Sequence, residues 1–396
     1  MNQTDSGYLL GDRIEGTIER IVPGGLGLLR GPRGVVFVER SAPGDRLQVE
    51  IDEMRSGVAR GSIVRILEPG PARIEAPCPW YGRCGGCDFQ HLEYRAQVEA
   101  KRQMLLDALV RIGGFDLLPE VEIFAASHPF GSRARIELHT DQEQRTIGFF
   151  ERRSSSIVPV DRCLVSRPEL NAAVDVLRRS TRPYLASISL ASGNGVVRSA
   201  PAFPPIDGGA FWLRIAEHEY LVDPGSFFQS SLDLLPALIG RVVGTDEPGG
   251  EVAWDLFCGA GLFSFPLAAR FHKVVGVDSD ARTIRNAVKG AERNGIGNTV
   301  FIAADSLDWI SGRKQRDFRP DLIVVDPPRS GLGARLADRL SNVEVRRLIY
   351  VSCDPATLAR DLKRLAKSSY RVVDIAIFDL FPQTHHVETV VRLEHR

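Results

Sequence analysis

The stretch Glu251–Asp278, EVAWDLFCGAGLFSFPLAARFHKVVGVD, decides the fold class of this chain. Val252–Phe257 reads as a buried strand, Cys258–Gly259–Ala260–Gly261 breaks it, a helix follows, and Lys273–Asp278 is a second strand. Strand, glycine turn, helix, strand opens a parallel α/β sheet. A glycine turn lets the backbone approach a ligand closely, and an acid at the tip of the second strand, here Asp278, can accept both hydroxyls of a ribose. Dinucleotide enzymes use the same device with a third glycine, but Ser264 stands at that place here and Asp255 precedes the turn. These two departures favour S-adenosylmethionine over NAD. A glycine turn of purely structural purpose is the plain alternative.

Downstream, two more strands run into chemically loaded turns. Asp321–Asp326 (DLIVVD) enters Pro327–Pro328–Arg329–Ser330–Gly331, and Arg347–Ser352 (RLIYVS) enters Cys353–Asp354–Pro355. Open parallel sheets bind ligands beyond the carboxyl ends of their strands, so Gly259, Asp278, Asp326 and Cys353 are expected in one crevice. The final stretch HHVETVVRLE is a late strand with Glu388 near its start. Asp354 suits a helix N-cap and Pro355 the first turn. A helix N-terminus favours a thiolate, although Asp354 works against the shift. A lone cysteine at a strand end is also a common small core residue, and Glu388 has the plain alternative of a surface acid. His385 and His386 make an improbable metal pair, because adjacent strand residues face opposite ways.

Cysteine with carboxylate suits one reaction in particular. Uracil C5 is a poor nucleophile toward a methyl sulfonium until a thiolate adds at C6, and a base must then remove the C5 proton so that the thiolate can leave.

Upstream, residues 8–68 read as five short strands separated by glycine turns, with period two in Arg13–Ile18 and Leu47–Ile51. Five such strands fit a small closed barrel, an OB-like domain over 1–68. Pro69–Gly70–Pro71 marks a linker. The central domain, 69–226, holds APCPWYGRCGGCDFQHL, then a helix over 92–115 free to pack on the catalytic domain and stopped by Gly113–Gly114, then strand- and loop-rich sequence. Arg133 and Arg135 lie two apart on a strand, hence on one face, where they could clamp phosphate; a solvated strand face is the alternative. The catalytic domain spans 227–396.

Composition sets the wider bounds. The 396 residues carry 50 basic and 50 acidic side chains, so RNA would have to be met by a local basic face rather than by net charge. No apolar run reaches membrane-spanning length, and the opening MNQTDSGYLLGDR lacks secretory character, so a cytoplasmic protein without membrane association is expected. No obligate protein partner is evident. That compartment keeps thiols reduced, so the six cysteines are not expected to pair as disulfides. Cys78, Cys84 and Cys87, at x5 and x2 spacing, suit a [4Fe–4S] cluster or a zinc ion closed by a distant fourth thiol.

The ordered set CPWYGRCGGCDFQHL, FFQ, DLFCGAGLFS, DPPRSGL, VSCDPATLARDL and HHVET, behind the barrel, resembles the iron–sulfur-containing RNA (uracil-5-)-methyltransferases over nearly the whole chain. The resemblance implies a Rossmann-like catalytic domain, a TRAM barrel and a structured RNA substrate, ribosomal RNA first and transfer RNA second. It implies Cys353 as nucleophile and Glu388 as base. It implies S-adenosylmethionine contacts from Gln229, Phe257, Gly259, Gly261, Asp278 and Asp326, with Asp305 a weaker candidate. Asp278 stands where the family more often has Glu. Cys78, Cys84, Cys87 and Cys163 become ligands of a [4Fe–4S] cluster, and Cys258 is left as packing. An amino-methyltransferase and a non-catalytic RNA-binding factor are the competing readings; the first would not need Cys353 and the second would not need the donor site.

Overall fold

A computed structural model of the chain describes residues 7–141, 143, 146–180, 186–244, 248–312 and 319–396. Residues 1–6 of the opening segment and Arg145, the first residue of the expected strand RTIGFFE, lie outside the described residues. The chain divides into two compact units. The first comprises Met1–Asp107, Phe149–Val160 and Pro382–His385; the second comprises Ala108–Gly148, Asp161–Phe381 and His386–Arg396.

In the first unit, β1 (Arg13–Val22), β2 (Leu26–Gly31), β3 (Gly34–Val38), β4 (Arg46–Arg55) and β5 (Val58–Glu68) close into a barrel of order β1-β2-β3-β5-β4. The period of two read from the sequence is realised: Ile14, Ile18, Leu47, Val49 and Ile51 point inward with Leu29, Val36 and Val38. Residues 69–71 are less of a linker than expected. Gly70 is buried and its N–H donates to Asp45 Oδ1 (2.8 Å). The Arg73 guanidinium forks onto the same carboxylate, Nε to Oδ1 at 2.8 Å and Nη2 to Oδ2 at 2.5 Å. Burial would raise the Asp45 pKa, but Arg73 and the Gly70 and Ala42 N–H groups outweigh it and hold the carboxyl low. Helix α1 (Tyr94–Ala108) follows and turns π-helical over Leu109–Gly113; Gly114, at φ 73°, ends it, as Gly113–Gly114 predicted.

The segment Pro382–His385 is held in the first unit by main-chain bonds. The N–H groups of Asp88 and Phe89 donate to the Gln383 carbonyl (2.8 and 3.0 Å), and the His385 N–H donates to Asp88 Oδ2 (3.1 Å).

The second unit is built on an eight-stranded sheet. Its strands are β6 (Val121–Phe124), β14 (Gly250–Leu256), β15 (Phe271–Asp278), β16 (Thr299–Ala303), β17 (Leu322–Val325), β18 (Arg347–Ser352), β19 (Tyr370–Phe378) and β20 (Glu388–His395), in the order β16-β15-β14-β17-β18-β20-β19-β6. The strands from β16 to β18 are parallel, and β20 runs antiparallel to both of its neighbours. The order reverses beside β14, which puts a ligand crevice at the carboxyl ends of β14 and β17. Helices α4 (Ser264–Ala268), α5 (Ala281–Arg293), α6 (Ser306–Ser311), α7 (Gly333–Leu340) and α8 (Pro355–Ser368) alternate with these strands.

The expected central domain, 69–226, does not stand as one body. The π-helical turn packs on α8, and β6 adds to the edge of the catalytic sheet parallel to β19. Strands β7 (Arg135–Asp141), β8 (Thr146–Phe150), β10 (Ser187–Gly193) and β11 (Val196–Ala200), and the hairpin β12 (Phe211–Ile215) with β13 (His218–Val222), also belong to the second unit, apart from the last residues of β8. Those residues and β9 (Ile157–Val158) count with the first unit. Helices α2 (Pro168–Arg178) and α3 (Leu235–Val243) complete the second unit. The first of them lay in sequence read as strands and loops; Pro168 at its start and buried Leu170, Val174 and Leu177 form it. Among the described residues no helix is long and apolar enough to cross a membrane.

Candidate active site

Strand β14 delivers the chain into a turn of positive φ angles: Phe257 at 65°, Gly259 at 52° and Gly261 at 89°. Glycine adopts these freely, whereas Phe257 stores about 1–3 kcal/mol, a kind of strain that gathers at ligand sites. A Cβ at Gly261 would stand 2.8 Å from the Phe265 ring, so the glycine is also required by packing. A Cβ at Gly259 would meet nothing within 4 Å, so open space lies above the turn for a ligand to approach the backbone. Asp278, at the tip of β15, accepts the Gly259 N–H on Oδ2 (2.9 Å) and the Asp280 N–H on Oδ1 (2.8 Å). Its carboxylate is thereby aimed at the turn.

The departure at Ser264 now has a reason. Its hydroxyl donates to Asp255 Oδ2 (2.5 Å), while Asp255 Oδ1 is buried without a hydrogen-bond partner. Burial pushes the Asp255 carboxyl up to about 7, with the Asp278 charge adding to the effect. Cys258 is buried, its thiol raised chiefly by that burial, in keeping with a packing role.

Two strands over, register brings the expected nucleophile and base together. Ser352 pairs with Thr389 across β18 and β20, so Cys353, one step beyond, stands opposite Glu388. Glu388 is 2% exposed and its Oε1 has no hydrogen-bond partner. Burial first, then the charge of Asp326, drives its pKa well up. Asp326 is itself pushed up to about 8 by burial and by Asp255 and Asp278. Cys353 departs from expectation. Its helix does begin as predicted, with Asp354 Oδ1 accepting the Thr357 N–H (2.8 Å) and Pro355 in the first turn. Yet burial, Glu388 and Asp326 push the thiol up to about 12, and Asp354 adds to this; Arg329 is the charge that pulls it down. Arg329 Nη2 meets His386 Nε2 at 3.3 Å. Arg329 stood inside the DPPRSGL motif without an expected role; a cation directly after Pro327–Pro328 was the available signal.

The crevice is therefore rich in acids. Asp255, Asp278, Asp326 and Glu388 raise one another or the thiol, which suits a cationic ligand such as a sulfonium. The donor's own requirements are met in kind by open space over Gly259 and by orphaned buried oxygens on Asp255 and Glu388. Gln229 joins that set, 4% exposed with Oε1 unpartnered, and it follows the exposed Phe227.

Other expected residues serve differently. Asp305 caps α6 through Oδ1, which accepts from Leu307 N–H (2.8 Å) and Asp308 N–H (3.1 Å). Arg135 is not a free phosphate clamp: Nη2 donates to the carbonyls of Asp223 (3.3 Å), Pro224 (2.9 Å) and Ser226, and burial lowers its pKa to about 10. It fixes the loop that leads to Gln229. Arg133 bridges to Ser166 and Ser231 through its main chain, leaving its side chain to carry the phosphate reading.

The cysteines fall in both units. In the first, the Tyr81 N–H donates to the Cys78 carbonyl (3.0 Å), the Cys84 N–H to the Trp80 carbonyl (2.9 Å), and Arg152 Nη2 to the Cys87 carbonyl (3.0 Å). In the second, Asn171 brackets Cys163, accepting its N–H (2.9 Å) and donating to its carbonyl (3.0 Å). All four are part-buried cysteines, a donor set chemically suited to iron–sulfur or zinc. Among the described residues, however, no group of three or more His, Cys, Asp or Glu side chains is placed to hold a metal ion.

Sheet order, glycine turn and acid-lined crevice define an S-adenosylmethionine-dependent methyltransferase. Residues 213–396 match the family model described as tRNA (Uracil-5-)-methyltransferase. An RNA methyltransferase of Gloeobacter violaceus, itself described as uncharacterized, is 32% identical over 98% of this chain and 97% of its own length. The protein of Vibrio parahaemolyticus named 23S rRNA (uracil(1939)-C(5))-methyltransferase RlmD is 30% identical over 95% of each chain. Among solved structures, the Pyrococcus abyssi tRNA (uracil-54, C5)-methyltransferase in complex with S-adenosyl-L-homocysteine superposes with a TM-score of 0.75 at 28% identity, covering 96% of this chain and all of the other. The chain belongs to the RNA (uracil-5-)-methyltransferase family, and its activity is S-adenosylmethionine-dependent methylation of uridine C5 in RNA.

Proposed function

We propose that the substrate is a uridine of 23S ribosomal RNA and that methylation proceeds through a covalent bond between Cys353 and uracil C6. The observation that carries the mechanism is the pairing of β18 with β20, which faces Cys353 with Glu388 at the mouth of an acid-lined crevice.

S-adenosylmethionine, when bound, supplies an electrophilic methyl group. Gln229, Phe257, Gly259, Gly261, Asp278 and Asp326 are assigned to hold it, with Asp278 on the ribose and Asp305 at the margin. Cys353 gives up its proton to solvent, helped by the Arg329 charge, and its sulfur forms the bond to C6. Electron density moves to C5, which takes the methyl group as the donor's sulfur–methyl bond breaks. Glu388, having first released its own proton, then accepts the C5 proton, the C5–C6 double bond returns, and the carbon–sulfur bond breaks to release Cys353. A buried carboxylate is a stronger base than an exposed one, so its environment suits that step.

Ribosomal RNA is favoured by the names of relatives such as those from Vibrio and Shewanella, at 30% and 31% identity. Transfer RNA is the second reading, on the likeness to the Pyrococcus abyssi structure. Arg133 is assigned to RNA phosphate. Cys78, Cys84, Cys87 and Cys163 are assigned to a [4Fe–4S] cluster by family resemblance and by their thiol chemistry, and no step of methyl transfer is routed through it.

The test uses RNA carrying 5-fluorouridine, whose fluorine cannot leave as the proton does. Ribosomal and transfer RNA transcripts are offered with the methyl donor, and peptides are mapped by mass spectrometry. A methylated nucleotide on Cys353 from the ribosomal transcript is expected. Absence of any adduct sinks the mechanism, and adduct from transfer RNA alone sinks the substrate assignment.

A further inference from the structure

Helix α8 carries a buried acid that methyl transfer, as proposed, does not use. Asp361 is fully buried. Its Oδ2 accepts from the Leu332 N–H (2.7 Å) and the Tyr350 hydroxyl (2.9 Å), and its Oδ1 accepts from Arg360 Nε (2.9 Å). Interior carboxylates are costly unless fully partnered, so the arrangement has a demanding geometry.

Its neighbours on the helix reach the same turn. Arg360 Nη2 donates to the Ser330 carbonyl (2.8 Å), and the Thr357 hydroxyl donates to the Arg329 carbonyl (3.1 Å). The main chain at 329, 330 and 332 is therefore held by three side chains of one helix, spaced three and four residues apart. Gly331, between them, has φ 72°, and a Cβ there would collide with Asp361 Oδ2 and come within 2.8 Å of Arg360 Nη2 and 3.1 Å of Thr357 Cβ. The turn has been fitted against the helix to the point of excluding a methyl group. The same helix begins two residues after Cys353, and Arg329, the first residue of the clamped turn, bears the charge that opposes the acids around that thiol.

We propose that Asp361, acting with Thr357 and Arg360, is a positioning residue that fixes the 329–332 turn so that the Arg329 guanidinium stands beside Cys353. Asp361 touches neither RNA nor donor; it acts through Arg329. The inference rests on Cys353 as nucleophile and adds the device that readies it. A clamp that served only stability would leave the electrostatics of the thiol unaltered.

The experiment measures the rate of adduct formation with 5-fluorouridine RNA between about pH 6.5 and 9.5, alongside S-adenosylmethionine affinity by calorimetry. Variants are Thr357→Val, Arg360→Met and Asp361→Asn, each made in the wild type and in an Arg329→Met background. The groups set against Cys353 are Glu388, Asp326 and Asp354, with Arg329 the opposing cation. Loss of one neutral hydrogen bond predicts adduct formation slower by about 2- to 10-fold for Thr357→Val, and loss of a charged one by about 10- to 100-fold for Arg360→Met or Asp361→Asn. The slowing should be the same across the range, because a thiol held near 12 stays mostly protonated throughout it, with donor affinity held within about twofold. In the Arg329→Met background the same changes should cost less than about twofold, because their effect passes through a charge already removed. Equal losses in both backgrounds, or losses that track donor affinity, would overturn the clamp. Should Asp361→Asn fail to fold, the other two, at less buried positions, decide the matter. Wild-type enzyme that forms no adduct would instead remove the parent mechanism.

Discussion

Binding of the methyl donor should expel protons from the crevice, by an amount the acid cluster allows to be worked out. The perturbation is the sulfonium charge, introduced by titrating the ligand-free protein with S-adenosylmethionine. Asp326, with a pKa of about 8, and Asp255, at about 7, both stand above the ordinary carboxylate range because burial and mutual charge favour their neutral forms. The sign follows from that direction. A raised carboxyl contributes stability in full below its unfolded pKa and loses it as pH rises through the folded one, so the ligand-free protein weakens as pH rises from about 4 to about 8. At pH 7 a group of pKa 8 is about nine-tenths protonated and at pH 9 about one-tenth. If the sulfonium drives Asp326 to ionise, about one proton is released per donor bound at pH 7 and almost none at pH 9. Affinity should then rise by up to about tenfold per pH unit below 7 and level off above 8. Calorimetry in phosphate and in Tris reads the proton count from the dependence of heat on buffer ionisation. S-adenosylhomocysteine, which lacks the charge, should release far fewer protons. A buffer-independent heat at pH 7, or equal counts for the two ligands, would refute the reasoning.

Three further outcomes are expected. Cys353→Ala should abolish adduct and methyl transfer while leaving donor affinity within about twofold; methyl transfer by this variant would favour an amino-methyltransferase. Arg135→Met should cost about 2–4 kcal/mol of stability by stripping donors from the Asp223, Pro224 and Ser226 carbonyls, with RNA salt dependence unchanged, whereas Arg133→Ala should leave thermal stability alone and reduce the salt slope by about one. Protein purified without oxygen should yield iron and sulfide rather than zinc, and Cys84→Ser should lower folded yield or RNA affinity; full solubility and activity after complete metal loss would contradict a structural role for the cluster.

Much of the molecule was legible in the order of its residues. Period-two alternation in Leu47–Ile51 is a local property of a half-buried strand, and it returned in the barrel as Leu47, Val49 and Ile51 turned inward. The turns at Gly259 and Gly261, the cap at Asp354 and the stop at Gly114 depend on backbone geometry within a few residues, so residue type alone announced them. Pairings across large separations were harder. Strand β6 at the far edge of the catalytic sheet meets β19 some 250 positions later, and no spacing rule encodes that partnership. Arg135 looked like a surface cation because its neighbours in sequence say nothing of the carbonyls 88 to 91 positions away that enclose it.

What sequence alone determined was the parallel sheet, the barrel before it and the chemical kinds of group at each strand end, because periodicity and turn chemistry act over a few residues. Tertiary structure decided how those groups are tuned. Helix position argued for a ready thiolate at Cys353, but the folded chain surrounds that sulfur with Glu388, Asp326 and Asp354 and offsets them with Arg329. Electrostatic energy depends on distance and burial through space, and these quantities exist only once strands remote in the chain lie side by side.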